Sequence, residues 1–377
     1  MGRPTRAPRD RPARDGPAPS PLRPRRRPRG GRGPPRGPPT PLDRIGRPRL
    51  APRAPARPTG GPGVSGGDVT PAVSDGDEVG LVVSPTAGKG RAAGVAARVR
   101  QGLSRRGLVV RDLTGPEPDA TVAAVRRATG AGLGRVLAVG GDGTVHHLAR
   151  ATATTGTVIG LVPVGTGNDW ARALGLPADP DAALETALGP ARPLDALAVG
   201  PPDGGRDAPS AWIATVATAG FSGDVNARAN AMRYPRGSAR YTIATLATLP
   251  RLRPRRLVLG LDGTSVGYDD VVLVAVGNTA HFGGGMAICP GARPDDGSAE
   301  VVVVAGIGRV GLARFLPRVF GGHHVTHPAV HRHHATEISL TCPDGPLHLW
   351  GDGEPVGPLP LTLRVVPGAL RVAVSDP

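Results

Sequence analysis

Arg135-Val136-Leu137-Ala138-Val139 runs directly into Gly140-Gly141-Asp142-Gly143-Thr144, and this junction decides how the chain is read. The apolar run reads as a strand and the stretch after the glycines as a helix. Three glycines let the main chain come close to a ligand. Their amides, with the start of the helix, make an anion site. An acidic residue inside a phosphate cradle makes sense where Mg²⁺ or ribose hydroxyls meet it, which marks out Asp142. The plainer alternative is a strand-to-helix turn with Thr144 as N-cap.

The same rhythm extends outward from this junction. Residues 79–84 and 108–113 are short apolar runs, and 91–105 and 119–129 carry apolar residues at helical spacing. Residues 158–164 form another strand that ends in Pro163-Val164-Gly165-Thr166-Gly167-Asn168-Asp169, before a helix over 170–174 that Asn168 or Asp169 could cap. The first strand ends in Ser84-Pro85-Thr86-Ala87-Gly88-Lys89-Gly90. This is no Walker loop, because neither Ser nor Thr follows Lys89 and no glycine stands five residues before Gly88. Four alternations of strand and helix predict a parallel sheet covered by helices, with ligands at the carboxyl ends of its strands. Loops at adjacent strand ends would form one nucleotide-sized crevice.

Past residue 190 the pattern changes. Residues 212–218, 256–261, 270–276, 300–305, 335–341, 347–350 and 361–366 are strand-like, and Asp-Gly pairs at 262–263, 296–297, 344–345 and 352–353 mark tight turns. The expected organisation is a tail over 1–75, an α/β nucleotide-binding domain over 76–190 and a mainly antiparallel β domain over 191–377. A helix around 314–320 would cover the β domain.

Charge is concentrated in the tail. The chain of 377 residues carries +16, but residues 1–70 hold 17 arginines against four aspartates, so the rest is close to neutral. A basic Arg/Pro/Gly segment with nothing to bury reads as disordered. Its composition is also that of a GC-rich coding region or an early start codon. It has no apolar core of a secretory signal, and no apolar run reaches the ~18 residues of a spanning helix. Two cysteines, Cys289 and Cys342, fit a reduced cytosol. His323, His324, His327, His331, His333 and His334 crowd one segment, but Pro328 interrupts it and no Cys or carboxylate stands at ligand spacing, so it reads as a surface connection.

Taken together, these loops resemble the diacylglycerol kinase catalytic-domain family, which includes bacterial diacylglycerol kinases, related lipid kinases, sphingosine kinases and ceramide kinases. The resemblance covers residues 78 to about 372. Gly140, Gly141, Asp142, Gly143 and Thr144 match its nucleotide loop, and Gly165 to Asp169 its second one. Ser84, Pro85, Thr86, Ala87 and Gly88 match an Asn-Pro-x-Ser-Gly loop with Ser84 for the asparagine, and Thr114 stands where the family has a threonine. Gly277-Asn278-Thr279, Gly283-Gly284-Gly285, Asp295-Asp296-Gly297 and Gly351-Asp352-Gly353-Glu354 look like its β-domain signatures. His146-His147 replaces the usual Asn-Glu, and Ser298 the usual apolar residue.

The resemblance implies transfer of the γ-phosphate of ATP, with Mg²⁺, to a lipid hydroxyl, most simply diacylglycerol. ATP would be held by the loop Ser84 to Gly88, by Thr114, by the residues 140–144, and by Thr166 and Asn168. Asp142 would sit by the phosphates and Mg²⁺, Glu354 would take the hydroxyl proton, and Asp352 would orient it or meet metal. Because a base must reach its proton, Glu354 has to cross an interdomain cleft. Arg293, Asp296 and Ser298 would surround a second, structural Mg²⁺. The expected partner is a lipid substrate at a membrane surface, reached from the cytoplasm by peripheral binding, with arginines 251, 253, 255 and 256 as one anchor. No stable nucleic-acid partner is expected, and a homodimer is compatible with the sequence. Two other readings stay open: phosphorylation of a soluble dinucleotide by an NAD kinase-like enzyme, since Gly-Gly-Asp-Gly-Thr is shared with NAD kinases and phosphofructokinases, and a non-catalytic basic binding protein.

Overall fold

The computed structural model of the chain describes residues 70–85, 87–202, 209–232, 243–245 and 247–374. The basic tail over 1–69, with its expected disorder, and Thr86 lie outside the described residues. Four parallel strands, β1 (Glu78–Val83), β2 (Val109–Asp112), β3 (Arg135–Gly140) and β4 (Val158–Pro163), stand in the order β2-β1-β3-β4. Every residue of β3 (RVLAVG) and β4 (VIGLVP) is buried, as strands covered on both faces require. Helices α1 (Ala92–Arg105) and α5 (Pro180–Leu188) pack Val99, Leu103 and Leu184 against Leu81, Leu137 and Val139 on one face. Helices α2 (Pro118–Gly130) and α3 (Asp142–Thr152) pack Val125 and Leu148 against Val136 and Ile159 on the other. The winding reverses between β1 and β3, because β1 leads to β2 on one side and β3 to β4 on the other. The crevice of such a sheet opens at that point.

Thirteen residues of linker and the short helix α4 (Asp169–Ala173) aside, the rest of the chain is mainly antiparallel. It comprises β5 (Ala191–Gly200), β6 (Ala211–Ile213), β7 (Val216–Gly220), α6 (Phe221–Ala231), β8 (Arg255–Leu261), β9 (Thr264–Gly277), β10 (Ala299–Ala305), α7 (Arg309–Phe320), β11 (Val330–Ala335), β12 (Glu337–Thr341), β13 (His348–Gly351), β14 (Glu354–Pro358) and β15 (Leu361–Ala373). Its sandwich core gathers Leu197, Ile213, Leu259, Val303, Ile338 and Leu363. A second core packs Phe221, Leu312, Phe315 and Val319 of α6 and α7 on Val272, Val302 and Val304. Asp262-Gly263 and Asp352-Gly353 join β8 to β9 and β13 to β14, and both residues of each pair have positive φ, the geometry of a two-residue type I′ hairpin.

The two halves are not successive beads. Residues 361–366 of β15 pair with β12 and β5 in the sandwich, whereas Arg371 and Val372 pair in parallel with Val158 and Ile159 of β4. The strand is bent at Pro367-Gly368, where Asp195 of β5 accepts the Gly368 N–H at 3.0 Å and the Gly297 N–H at 2.8 Å. Residues Ala369, Leu370, Val372 and Val374 thereby complete the core of the α/β half.

Several elements depart from the sequence expectations. The run 212–218 is broken at Ala214-Thr215, whose N–H groups turn to the Asp352 carboxylate. The run 335–341 is broken at Thr336, whose N–H turns to Asp262. Thr144 is not the N-cap of α3: the helix starts at Asp142 with Gly141 as cap. The histidine segment is only in part a connection, because His331, His333 and His334 lie on β11, which pairs along its length with β10. There, alternation turns His331 and His333 inward, the latter with its Nε2 2.6 Å from the Tyr268 hydroxyl. Strand β5 and helix α6 had no counterpart in the sequence reading.

Leu370 is 1% exposed in the core of the α/β half. Leu370→Ala is expected to cost about 2–5 kcal/mol, read as a lowered urea midpoint. A loss confined to the sandwich, with the α/β half unaffected, would contradict the shared-core assignment of β15.

Candidate active site

The three glycine-rich loops meet on one rim. Ser84 N–H donates to the Val139 carbonyl at 3.0 Å, Val164 N–H donates to the Gly140 carbonyl at 2.8 Å, and Val83 N–H donates to Thr114 Oγ1 at 3.0 Å. Ser84, Pro85, Ala87, Gly88, Thr114, Gly140, Gly141, Gly143, Thr144, Thr166 and Asn168 are thus set at adjoining strand ends, while Thr86 lies outside the described residues. Two glycines have no substitute here. A Cβ on Gly140 would stand 2.0 Å from Thr144 Oγ1, and Gly88, at φ +60°, would place one 2.2 Å from the Val164 carbonyl oxygen. Asn168 sits in the left-handed region at φ 50° and donates from Nδ2 to the Gly165 carbonyl at 3.0 Å. Its buried Oδ1 has no hydrogen-bond partner among the described residues. Glycine turns and the start of α3 at adjoining strand ends have the make-up of a cradle for phosphate oxygens.

Three carboxylates stand around the cradle, each held differently. Asp142 Oδ1 accepts the Trp170 N–H at 3.0 Å. Asp169 accepts from the Arg172 guanidinium at 2.8 Å and, across the cleft, from the Gly284 N–H at 2.7 Å, so the Gly283-Gly284-Gly285 turn of the β half is latched to the α/β half. Asp352 is 2% exposed in its side chain. Its Oδ1 accepts from Thr215 N–H at 2.8 Å and Thr215 Oγ1–H at 2.6 Å, and its Oδ2 from Ala214 N–H at 3.1 Å. His146 Nδ1 of α3 lies 3.1 Å from the same Oδ2 and donates in the tautomer protonated there. The histidine that stands in place of the family's asparagine therefore reaches across the cleft.

Glu354 is two residues along the same hairpin, exposed, and its carboxylate makes no hydrogen bond or ion pair among the described residues. Asp352 is thus a buried, fully engaged acid and Glu354 a free one at the rim. Next to His146, His147 is pushed down to about 4, by burial first and then by the neighbouring His146 and Arg150, and stays neutral. The Arg293, Asp296 and Ser298 group lies on the turn before β10: Arg293 reaches Asp295 at 3.3 Å, and Asp296 Oδ1 accepts the Ser298 N–H at 3.0 Å. No cluster of three or more His, Cys, Asp or Glu side chains at metal-holding spacing occurs among the described residues. Sequence reasoning named neither Thr215, which carries no motif, nor the site role of Asp169, whose place in the Gly165 to Asp169 loop was the available signal.

Burial lifts the Asp142 carboxyl above its usual range, helped by the charges of Asp169 and Asp352 and opposed by the N–H groups of Trp170 and Asp169. The folded chain therefore holds this proton to higher pH than the unfolded chain. Ionised Asp142 costs stability, a cost absent below the ordinary value of 3.8 and complete above the raised one. Asp142→Asn keeps an acceptor for Trp170 and is expected to raise the urea midpoint at neutral pH, the gain vanishing as pH falls toward 3.8. An unchanged or lowered midpoint at neutral pH, measured with chelator present, would refute this electrostatic account.

Comparison with known proteins bears on the family and the fold. The diacylglycerol kinase catalytic domain matches residues 78–199, and the YegS C-terminal NAD kinase beta sandwich-like domain matches residues 215–374. A diacylglycerol kinase of Mycobacterium tuberculosis is 36% identical over 297 residues, covering 78% of this chain and 94% of that protein. A "Probable lipid kinase YegS-like" of Pseudomonas fluorescens is 32% identical over 256 residues, 67% of this chain and 81% of its own. In fold, the chain superposes on a crystal structure of a diacylglycerol kinase from Bacillus anthracis with a TM-score of 0.59 at 17% identity, covering 80% of this chain and 97% of that one. With a parallel sheet that opens its glycine loops toward an antiparallel sandwich, and relatives of this closeness over nearly their whole length, the chain belongs to the diacylglycerol kinase family of lipid kinases.

Proposed function

We propose that the chain transfers the γ-phosphoryl group of ATP to the hydroxyl of a lipid, with diacylglycerol as acceptor and phosphatidic acid as product. The observation that carries this is the Asp352 junction, which brings a hairpin bearing the free carboxylate of Glu354 to the helix that starts in the glycine cradle. Phosphoryl transfer depends on positioning and charge neutralisation more than on covalent help. The cradle holds the phosphates through main-chain N–H groups. Glu354, unconstrained and exposed, takes the proton of the acceptor hydroxyl, while Asp352 fixes the turn from which it reaches.

Mg²⁺, bound with the nucleotide, would neutralise charge on the phosphates and needs only one or two protein carboxylates, of which Asp142 is the one set in the cradle. A second ion at Arg293, Asp296 and Ser298 would rest on the single carboxylate of Asp296 and on main-chain carbonyls, which a serine at 298 supplies as well as an apolar residue. The diacylglycerol assignment is supported by the name of one set of relatives, and a lipid acceptor more generally by the lipid kinase names of others. The acceptor is then met at a bilayer surface.

The test is transfer of labelled γ-phosphate from ATP–Mg²⁺ to diacylglycerol in mixed micelles, with NAD as a soluble competitor acceptor. Labelled phosphatidic acid is expected, and Glu354→Gln is expected to lower kcat by about 10²–10⁴-fold with the KM for ATP little changed. Label in NADP alone would transfer the chain to the dinucleotide reading, and full activity of Glu354→Gln would remove its role as base.

A further inference from the structure

Helix α7, RVGLARFLPRVF, buries Leu312, Phe315 and Val319 and turns its other half to solvent. Two of its apolar side chains are left out: Val310 is 66% and Phe320 58% exposed. At 3.6 residues per turn, Val310, Ala313, Pro317 and Phe320 fall within about 80° of one another on the outward half. Arg309 borders this strip on one side and Arg314 and Arg318 on the other. The helix contains no acidic residue, and none of these arginines has an ion-pair partner among the described residues. On the α/β half, by contrast, Arg98, Arg106 and Arg150 each meet a carboxylate of a neighbouring helix.

The position of this strip matters as much as its composition. The Val319 carbonyl accepts the Ala287 N–H at 3.0 Å, tying the end of α7 to the segment that follows the Gly283-Gly284-Gly285 turn. Gly284 is the residue latched to Asp169 in the cleft. Phe320 is therefore one short loop from the active site. An apolar strip bordered by cations suits the boundary of an anionic bilayer, where rings enter the acyl region and guanidinium groups reach phosphates. An acidic protein would satisfy the arginines but leave the strip unexplained.

We propose that the outward face of α7 docks on an anionic phospholipid bilayer and sets the cleft over its lipid acceptor. This rests on the lipid kinase reading for its purpose, but not for its test. The 17 arginines of residues 1–70 are charge enough to hold the chain to anionic vesicles without α7, so pelleting of the full chain cannot report on α7, and a local signal is needed. In the full chain, Phe320→Trp places an indole on the strip, and its emission, corrected for the unsubstituted chain, is followed with phosphatidylglycerol vesicles carrying brominated acyl chains.

Quenching is expected with these vesicles and little with brominated phosphatidylcholine. Adding Arg314→Gln and Arg318→Gln is expected to raise the lipid concentration for half-quenching by about fivefold per arginine. Sedimentation with the vesicles without quenching overturns the proposal, and so does quenching unaffected by the two arginine changes. Phosphate transfer to a short-chain acceptor dissolved below its micelle concentration is measured alongside. Since it needs no bilayer, it persists if only the docking face is wrong and disappears if the kinase reading is wrong.

Discussion

A buried carboxylate must have its lone pairs occupied or be expelled, and Asp352 meets that demand with groups from two other stretches of chain. Ala214 and Thr215 give it two main-chain N–H groups and a hydroxyl, and His146 adds a ring nitrogen from the opposite half. Satisfying it breaks what would be a continuous strand between β6 and β7, pins the β13–β14 hairpin, and brings that hairpin to the helix at whose start the glycine cradle lies. The shape of the sandwich at this edge and the geometry of the site are therefore one constraint.

The three acids near the cleft show how neighbours divide roles among identical groups. Asp169 is neutralised by Arg172 and by the Gly284 N–H, and acts as a latch between halves. Asp352 is enclosed by donors and acts as a fixed pivot. Asp142 has only main-chain donors and two like charges nearby, so its own charge is the least compensated. In the phosphoryl-transfer site proposed above, such a group would be the one left to meet a cation, at a cost to the stability of the fold.

The glycine loops and their strands were legible in the sequence because their chemistry is local: an apolar run, a turn that excludes Cβ atoms and a helix start lie within a dozen residues. The Asp-Gly hairpins were legible for the same reason. What was not legible came from distance. The break at Ala214-Thr215 answers a carboxylate more than 130 residues later, and the Asp169 latch joins residues 115 apart. The histidines of β11 looked like part of a connection because Pro328 interrupts the segment and no Cys or carboxylate stands at ligand spacing. Their inward members are accepted because Tyr268 offers a hydroxyl and an aromatic face. His146 departs from the family's usual asparagine, so no contact could be carried over to its position, and only the distance to Asp352 shows what this side chain does.

The bent strand β15 also orders events in time. The α/β half is encoded first, yet one edge of its sheet stays open and part of its core unfilled until residues 369–374 have been made and have docked beside β4. A nascent chain leaving the ribosome therefore carries a nucleotide-binding half with an exposed edge for as long as the sandwich is being synthesised. Closing the molecule requires a contact between β4 and the last strand, more than 200 residues later, the kind of long-range pairing that makes folding slow and leaves intermediates prone to association.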